Sequence, residues 1–220
     1  MRLAIFDLDG TLLDSVAVMV ETMSAAFRTI GAPVPDEKAI RAISGLHVRR
    51  ALESLMPGAS DARIDELIAA YRLHFQSLGG MVRQPLFAGA LKTLDQIHAD
   101  PTTLMSVATG KSYRSATVLL EAHGIIDRFV SIETPDHNNS KPDPQMVETA
   151  LGKAGIEAPF AVMIGDTTHD MHMAKAAGVA AIGVSWGYHA VDELHEAGAD
   201  IVLTSFEQLQ PAIEKLTRRG

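Results

Sequence analysis

Apolar positions along the 220 residues repeat with two different periods. From residue 15 to about residue 81 the spacing is helical throughout. Val16, Met19, Val20, Met23, Phe27 and Ile30 fall on one helix face that stops at Gly31. Ile64, Leu67, Ile68, Tyr71, Phe75 and Leu78 repeat that spacing and stop at Gly79-Gly80. Two shorter helical stretches, 36–43 and 46–56, lie between them, and Pro57-Gly58 closes the second. After Pro85 helices alternate with short apolar strands. The pattern predicts helices over 89–99, 112–123, 144–154, 170–177 and 192–197, then a C-terminal helix. Between them it predicts strands over 103–108, 128–132, 160–164, 179–184 and 201–203. Strict alternation means a parallel sheet with helices on both faces. The apolar run 3–6 is a strand that belongs with this half. The helical block therefore reads as an insert (15–81) in an α/β core made of 1–14 and 82–220. Neither internal repeats nor low-complexity segments interrupt the pattern.

Composition narrows the class of function. Nearly half of the residues are apolar and the formal net charge is −8, with 19 Lys and Arg scattered rather than blocked. That argues against nucleic-acid binding. No apolar run approaches a membrane span, and Asp7 and Asp9 interrupt the first apolar stretch, so it is not read as a signal peptide. There is no cysteine, which excludes disulfides, thiolate metal sites and a cysteine nucleophile. A cytoplasmic enzyme or binding protein, monomeric or a small homo-oligomer, is the expectation.

Candidate chemistry gathers at strand ends. In Ile5-Phe6-Asp7-Leu8-Asp9-Gly10-Thr11 an apolar strand stops at two carboxylates two residues apart. Residues i and i+2 of a strand point the same way, and two like charges aimed at one spot repel unless a cation lies between them. The pair is thus a candidate metal and nucleophile site, although a plain Asp-Gly turn would give the same letters. Ligands of open parallel sheets bind beyond the carboxyl ends of the strands. Polar residues indeed follow other strands: Thr109-Gly110-Lys111 after Ala108, and Gly165-Asp166 after Ile164, with Asp170 at an expected helix start. Lys141-Pro142 lies in a loop that opens a further helix.

Taken in this order, Asp7-Leu8-Asp9-Gly10-Thr11, Thr109, Lys141-Pro142 and Gly165-Asp166 with Asp170 resemble the haloacid dehalogenase-like hydrolases, over nearly the whole chain. The resemblance implies a doubly wound, Rossmann-like parallel sheet core with an inserted, mobile helical cap. It also implies a Mg²⁺-dependent phosphatase, similar to phosphoglycolate phosphatases, acting on a small phosphorylated metabolite. In that family's chemistry Asp7 is the nucleophile that forms an aspartyl-phosphate. Asp9 protonates the leaving oxygen and then activates water. Asp7, the Asp9 carbonyl and Asp166 bind Mg²⁺, and Asp170 orients the metal site. Thr109 and Gly110 hold phosphoryl oxygens beside the turn Gly10-Thr11, and Lys141 places positive charge next to Asp7. A β-phosphoglucomutase-like mutase and a non-catalytic phosphometabolite-binding protein are the alternatives.

Several positions stay open at this stage. Many relatives carry Asn after the threonine, where this chain has Gly110-Lys111; Lys111 either adds charge to the phosphate pocket or points to solvent. Thr109 has a competing role as a helix N-cap. The turn Ser44-Gly45-Leu46 is expected to close over the site, and the following His47, Arg49 and Arg50 form a cationic rim suited to a second anionic group on the substrate; the competing role for Arg49 and Arg50 is a solvated helix face. His169 is expected in an exposed loop, with Met171 and Met173 in the core. Trp186 and Tyr188 either wall the site or only pack.

Overall fold

A computed structural model describes residues 1–77 and 84–217. Six parallel strands form one sheet: β1 (Arg2–Phe6), β2 (Thr103–Ala108), β3 (Ser131–Glu133), β4 (Ala161–Gly165), β5 (Ala180–Val184) and β6 (Ile201–Leu203), in the order β3-β2-β1-β4-β5-β6. The helical block after β1 holds α1 (Val16–Thr29), α2 (Glu37–Ala42), α3 (Val48–Leu55) and α4 (Asp61–Ser77). The core helices are α5 (Ala90–Ala99), α6 (Tyr113–Ala122), α7 (Gln145–Ala154), α8 (Thr168–Ala176), α9 (Val191–Glu196) and α10 (Leu209–Leu216).

Side chains alternate across the sheet, so β1 feeds two cores. Ala4 and Phe6 pack with Leu94 and Ile97 of α5, Leu119 and Leu120 of α6, and Leu209 and Ile213 of α10. Leu3 and Ile5 pack with Met146 and Val147 of α7, Met171 and Met173 of α8, and Leu194 of α9. Helices thus cover both faces, as expected of a doubly wound sheet. The strand order reverses between β1 and β4. Such a switch point opens a crevice at the carboxyl ends of the strands, and Asp7 and Asp166 follow those two strands.

Helices α1 to α4 enclose a core of their own, including Met23, Phe27, Ile40, Leu52, Ile64 and Leu67. Its two connections to the sheet run side by side: Leu13 bridges Leu86, Asp14 N–H donates to Pro85 O (2.8 Å), and Phe87 N–H donates to Leu12 O (3.0 Å). Both chain crossings thus sit at one narrow hinge. Leu78, Gly79-Gly80 and the expected 81/82 boundary lie outside the described residues.

Two elements differ from the sequence pattern. The strand expected over 128–132 is Ser131–Glu133, preceded by a 3₁₀ turn at Ile126–Arg128. Ile126 and Phe129 pack on the first core from that turn, and Val130 is exposed; apolar residues docking from a turn imitate a strand in sequence. Helix α8 starts at Thr168 rather than at 170, because Thr167 caps it and Asp170 is the third residue of the capping box.

Candidate active site

Asp7 stands at the centre of the sheet's carboxyl edge, its N–H donating to Ile164 O (2.9 Å). Asp7, Asp166 and Asp170 are fully buried and offer carboxylate oxygens within 4.8 Å of one another. Against these three anions stands the ammonium of Lys141, itself fully buried, 2.9 Å from Asp7 Oδ1 and 2.6 Å from Asp170 Oδ1. Lys141 is therefore not a solvated loop lysine.

The three carboxylates differ in how the chain satisfies them. Asp170 Oδ2 accepts from Thr167 N–H (3.1 Å) and Thr167 Oγ1 (2.7 Å), so its capping role and its grip on Lys141 coexist. Asp166 accepts from Thr11 Oγ1 at Oδ1 and from Tyr188 N–H at Oδ2, both at 2.8 Å. Asp7 Oδ1 meets the Lys141 ammonium at 2.9 Å, and no backbone N–H or hydroxyl is seen to donate to either Asp7 oxygen. Burial first, then the neighbouring Asp170, push Asp7 up to about 7 against the opposing pull of Lys141. Burial, with Asp7 and Asp170, also raises Asp166 well above the usual carboxylate range. A buried cluster of hard oxygens, with an excess of anions over the one ammonium and an Asp7 Oδ2 that no donor reaches, fits Mg²⁺. The residues that would hold it are Asp7, Asp166 and Asp170.

Close approach explains the glycines. Gly10 has φ +76, and a β carbon there would collide with Asp166 and the Tyr188 ring. A β carbon at Gly110 would collide with the carbonyl oxygen of Gly45. The turn Ser44-Gly45-Leu46 thus rests on the loop after β2, and the helical block is seated over the sheet edge. An Asn at 110 would not leave room for this seating.

Thr109 is not a helix cap. Ser112 caps α6 through Ser115 N–H, while Thr109 N–H extends the ladder to Glu133 O (3.0 Å) and its Oγ1 accepts from Lys111 N–H (3.3 Å). Lys111 does not open α6 either. Its ammonium pairs with Asp9 Oδ1 (2.9 Å) and donates to Gln84 Oε1 (2.9 Å). Asp9 itself lies outside the three-carboxylate cluster among the described residues.

The cap arginines are placed differently from the expected rim. Arg49 pairs with Asp65 of α4 and with Glu53 (3.7 Å). Arg50 Nη1 donates to Lys141 O (3.4 Å), and His47 N–H donates to Ser140 Oγ (3.3 Å). Together they line a groove of about 400 Å³ against residues 135–140. His169 is helical and partly buried rather than loop-exposed, its ring 5.9 Å from that of His189, while Met171 and Met173 are in the core as expected.

Tyr188, Gln84, Thr167 and Ser15 join the site without a decisive signal in the sequence. Tyr188 OH and Ser15 Oγ share a hydrogen bond (3.0 Å), tying the segment after β5 to the hinge. Trp186 Nε1 donates to Thr11 O (3.0 Å) while its ring packs on Phe206. Only Thr167 carried a local cue, the Thr-x-x-Asp spacing of a capping box.

Comparison with known proteins agrees with this geometry. Residues 4–184 match the family model described as haloacid dehalogenase-like hydrolase. A protein of Dickeya dadantii named as a probable phosphatase, IndB, is 35% identical over 98% of this chain and 95% of its own length. A phosphoglycolate phosphatase of Agrobacterium fabrum is 32% identical over 99% and 95%. The crystal structure of a hydrolase from Pseudomonas syringae superimposes with a TM-score of 0.87 at 26% identity, covering 99% of this chain and 100% of that one.

Proposed function

The chain belongs to the haloacid dehalogenase-like hydrolases, and from that premise we propose that it is a Mg²⁺-dependent phosphatase of small phosphorylated metabolites, working in the cytoplasm through an aspartyl-phosphate on Asp7. The observation that carries this reading is the Asp7 carboxylate: fully buried, held by the Lys141 ammonium rather than by backbone or hydroxyl donors, and set beside Asp166 and Asp170. A structural aspartate in the interior would be hydrogen-bonded. A nucleophile needs its lone pairs free.

Bound Mg²⁺ would supply charge neutralisation, letting a carboxylate and a phosphate dianion share the site. The chain's own residues do the rest. An Asp7 oxygen attacks phosphorus as the ester oxygen leaves with a proton from Asp9. Asp9, now a carboxylate, takes a proton from water as that water attacks the phosphorus of the acyl phosphate. Inorganic phosphate departs and Asp7 is regenerated. Thr109 Oγ and Gly110 N–H bind the phosphoryl oxygens, and Lys141 offsets their charge. Asp170 holds Lys141 against Asp7. Residues 15–81 act as the cap that encloses the substrate and excludes water during transfer.

The test is phosphate release from a panel of small phosphomonoesters with Mg²⁺ and with excess EDTA. Release that depends on Mg²⁺ supports the reading; full activity in EDTA, or none on any ester, contradicts it.

A further inference from the structure

The phosphatase reading assigns Asp9 to the leaving oxygen, so whatever pairs with Asp9 borders the leaving group. Lys111 does so. Its ammonium is held 2.9 Å from Asp9 Oδ1 and 2.9 Å from Gln84 Oε1, on a side chain only 12% exposed. Of these two partners only Asp9 is an anion, while Gln84 offers a neutral amide oxygen. Arg49 pairs with Asp65 and Glu53 and Arg50 donates to the Lys141 carbonyl, so the ammonium seen to pair with Asp9 is that of Lys111.

Resting on that reading, we propose that Lys111 is the specificity-determining residue: it exchanges Asp9 for a carboxylate on the leaving group, so the preferred substrate is a small phosphomonoester carrying a second anionic group close to the ester oxygen. The exchange releases Asp9 from the ammonium to face the ester oxygen. Gln84 keeps Lys111 on the Asp9 side of the loop throughout. A neutral leaving group of the same size has nothing to offer Lys111 and leaves Asp9 in its ion pair. The role expected of the α3 rim thus falls to Lys111, the neighbour of Gly110.

The test compares 2-phosphoglycolate with ethyl phosphate, which has the same length but no carboxylate, on the wild type, Lys111→Met, Lys111→Gln and Lys111→Arg with Mg²⁺. The wild type is expected to favour the carboxylate ester. Lys111→Met and Lys111→Gln should cut the ratio of kcat/KM for the two esters by roughly 10- to 100-fold, the worth of a charged hydrogen bond. Lys111→Arg should keep most of the ratio, which a merely structural role would not require. In the Asp7→Asn background, calorimetry should show the same order of binding and the same loss of preference with Lys111→Met. A wild-type ratio near one, or equal losses on both esters in the Met and Gln variants, overturns the proposal while leaving the phosphatase reading intact. Failure of the wild type to release phosphate from either ester, or from p-nitrophenyl phosphate, overturns the phosphatase reading itself and this inference with it.

Discussion

Replacing Lys141 with Met isolates the electrostatics of the buried cluster. Methionine keeps the length and apolar stem of lysine and removes only the ammonium. In the fully buried site that ammonium lies 2.6 Å from Asp170 and 2.9 Å from Asp7. At an effective dielectric of about 20, each pair is worth roughly 6 kcal/mol of direct attraction. Desolvation of the three ions offsets most of this, and removing one partner of a buried pair costs about 3–5 kcal/mol in net terms because charge is left unpaired. With a urea dependence of about 2 kcal/mol/M, the midpoint should fall by roughly 2 M in EDTA. The assay is urea unfolding followed by circular dichroism, with and without Mg²⁺. Adding Asp170→Asn should recover about 1–3 kcal/mol, since it removes a stranded carboxylate. Mg²⁺ should also narrow the gap between Lys141→Met and the wild type, because it replaces the missing positive charge. A loss under about 1 kcal/mol in EDTA would refute the reasoning, as would a double variant no more stable than Lys141→Met.

Three further outcomes follow from other parts of the structure. Asp9→Asn should lower kcat by roughly 10²- to 10⁴-fold on alkyl esters and by less on aryl esters, whose leaving groups need little protonation; equal losses on both would remove Asp9 from that role. Gly110→Ala should unseat the turn at Gly45, because its β carbon meets the Gly45 carbonyl, costing the closed arrangement about 1–3 kcal/mol; the readout is a raised KM with the fold retained, and unchanged kinetics would contradict it. Asp200 is exposed, and the little burial it has would raise it, but Lys175 and the Ala181 N–H, each at 2.7 Å, hold it below the usual carboxylate range. A lowered folded value gives stability that is present above the unfolded value and lost as pH falls through the folded one. Asp200→Asn should therefore cost about 1 kcal/mol or less near pH 7, given its exposure, and nothing at a pH below its folded value; a cost independent of pH in thermal melts would count against the pairing.

Much of the core was legible because its period changes sharply. The run 103–108 is a strand to the residue, and 201–203 likewise, because each is a short apolar stretch between turn residues. Asp7, Asp166, Asp170 and Lys141 come together as their strand-end and loop positions anticipated, since a parallel sheet brings all its carboxyl ends to one edge. What the letters do not carry is the direction of a long side chain. Lys111 reads equally well as a helix start or a pocket cation, and only the packing of Asp9 and Gln84 around it decides. The same holds for Arg49, whose partner Asp65 lies one helix away, and for Tyr188, whose backbone N–H rather than its ring meets Asp166. Gly110 was visible as a departure, but its reason, the carbonyl of Gly45, is a contact between distant segments. The start of α8 differs from the pattern because Asp170 has the composition of a cap, while the cap itself is Thr167.

The central claim is that Asp7 carries the phosphoryl group, and a trapping experiment tests it most directly. The protein is mixed with 2-phosphoglycolate and Mg²⁺, quenched in acid within one turnover, digested, and analysed by mass spectrometry. The account predicts one added phosphoryl group, labile to hydroxylamine, on the peptide that contains Asp7. It also predicts that Asp7→Asn shows neither this adduct nor phosphate release while retaining the wild-type circular dichroism spectrum. Wild-type turnover by Asp7→Asn, or a phosphoryl group trapped on any other residue, would contradict it.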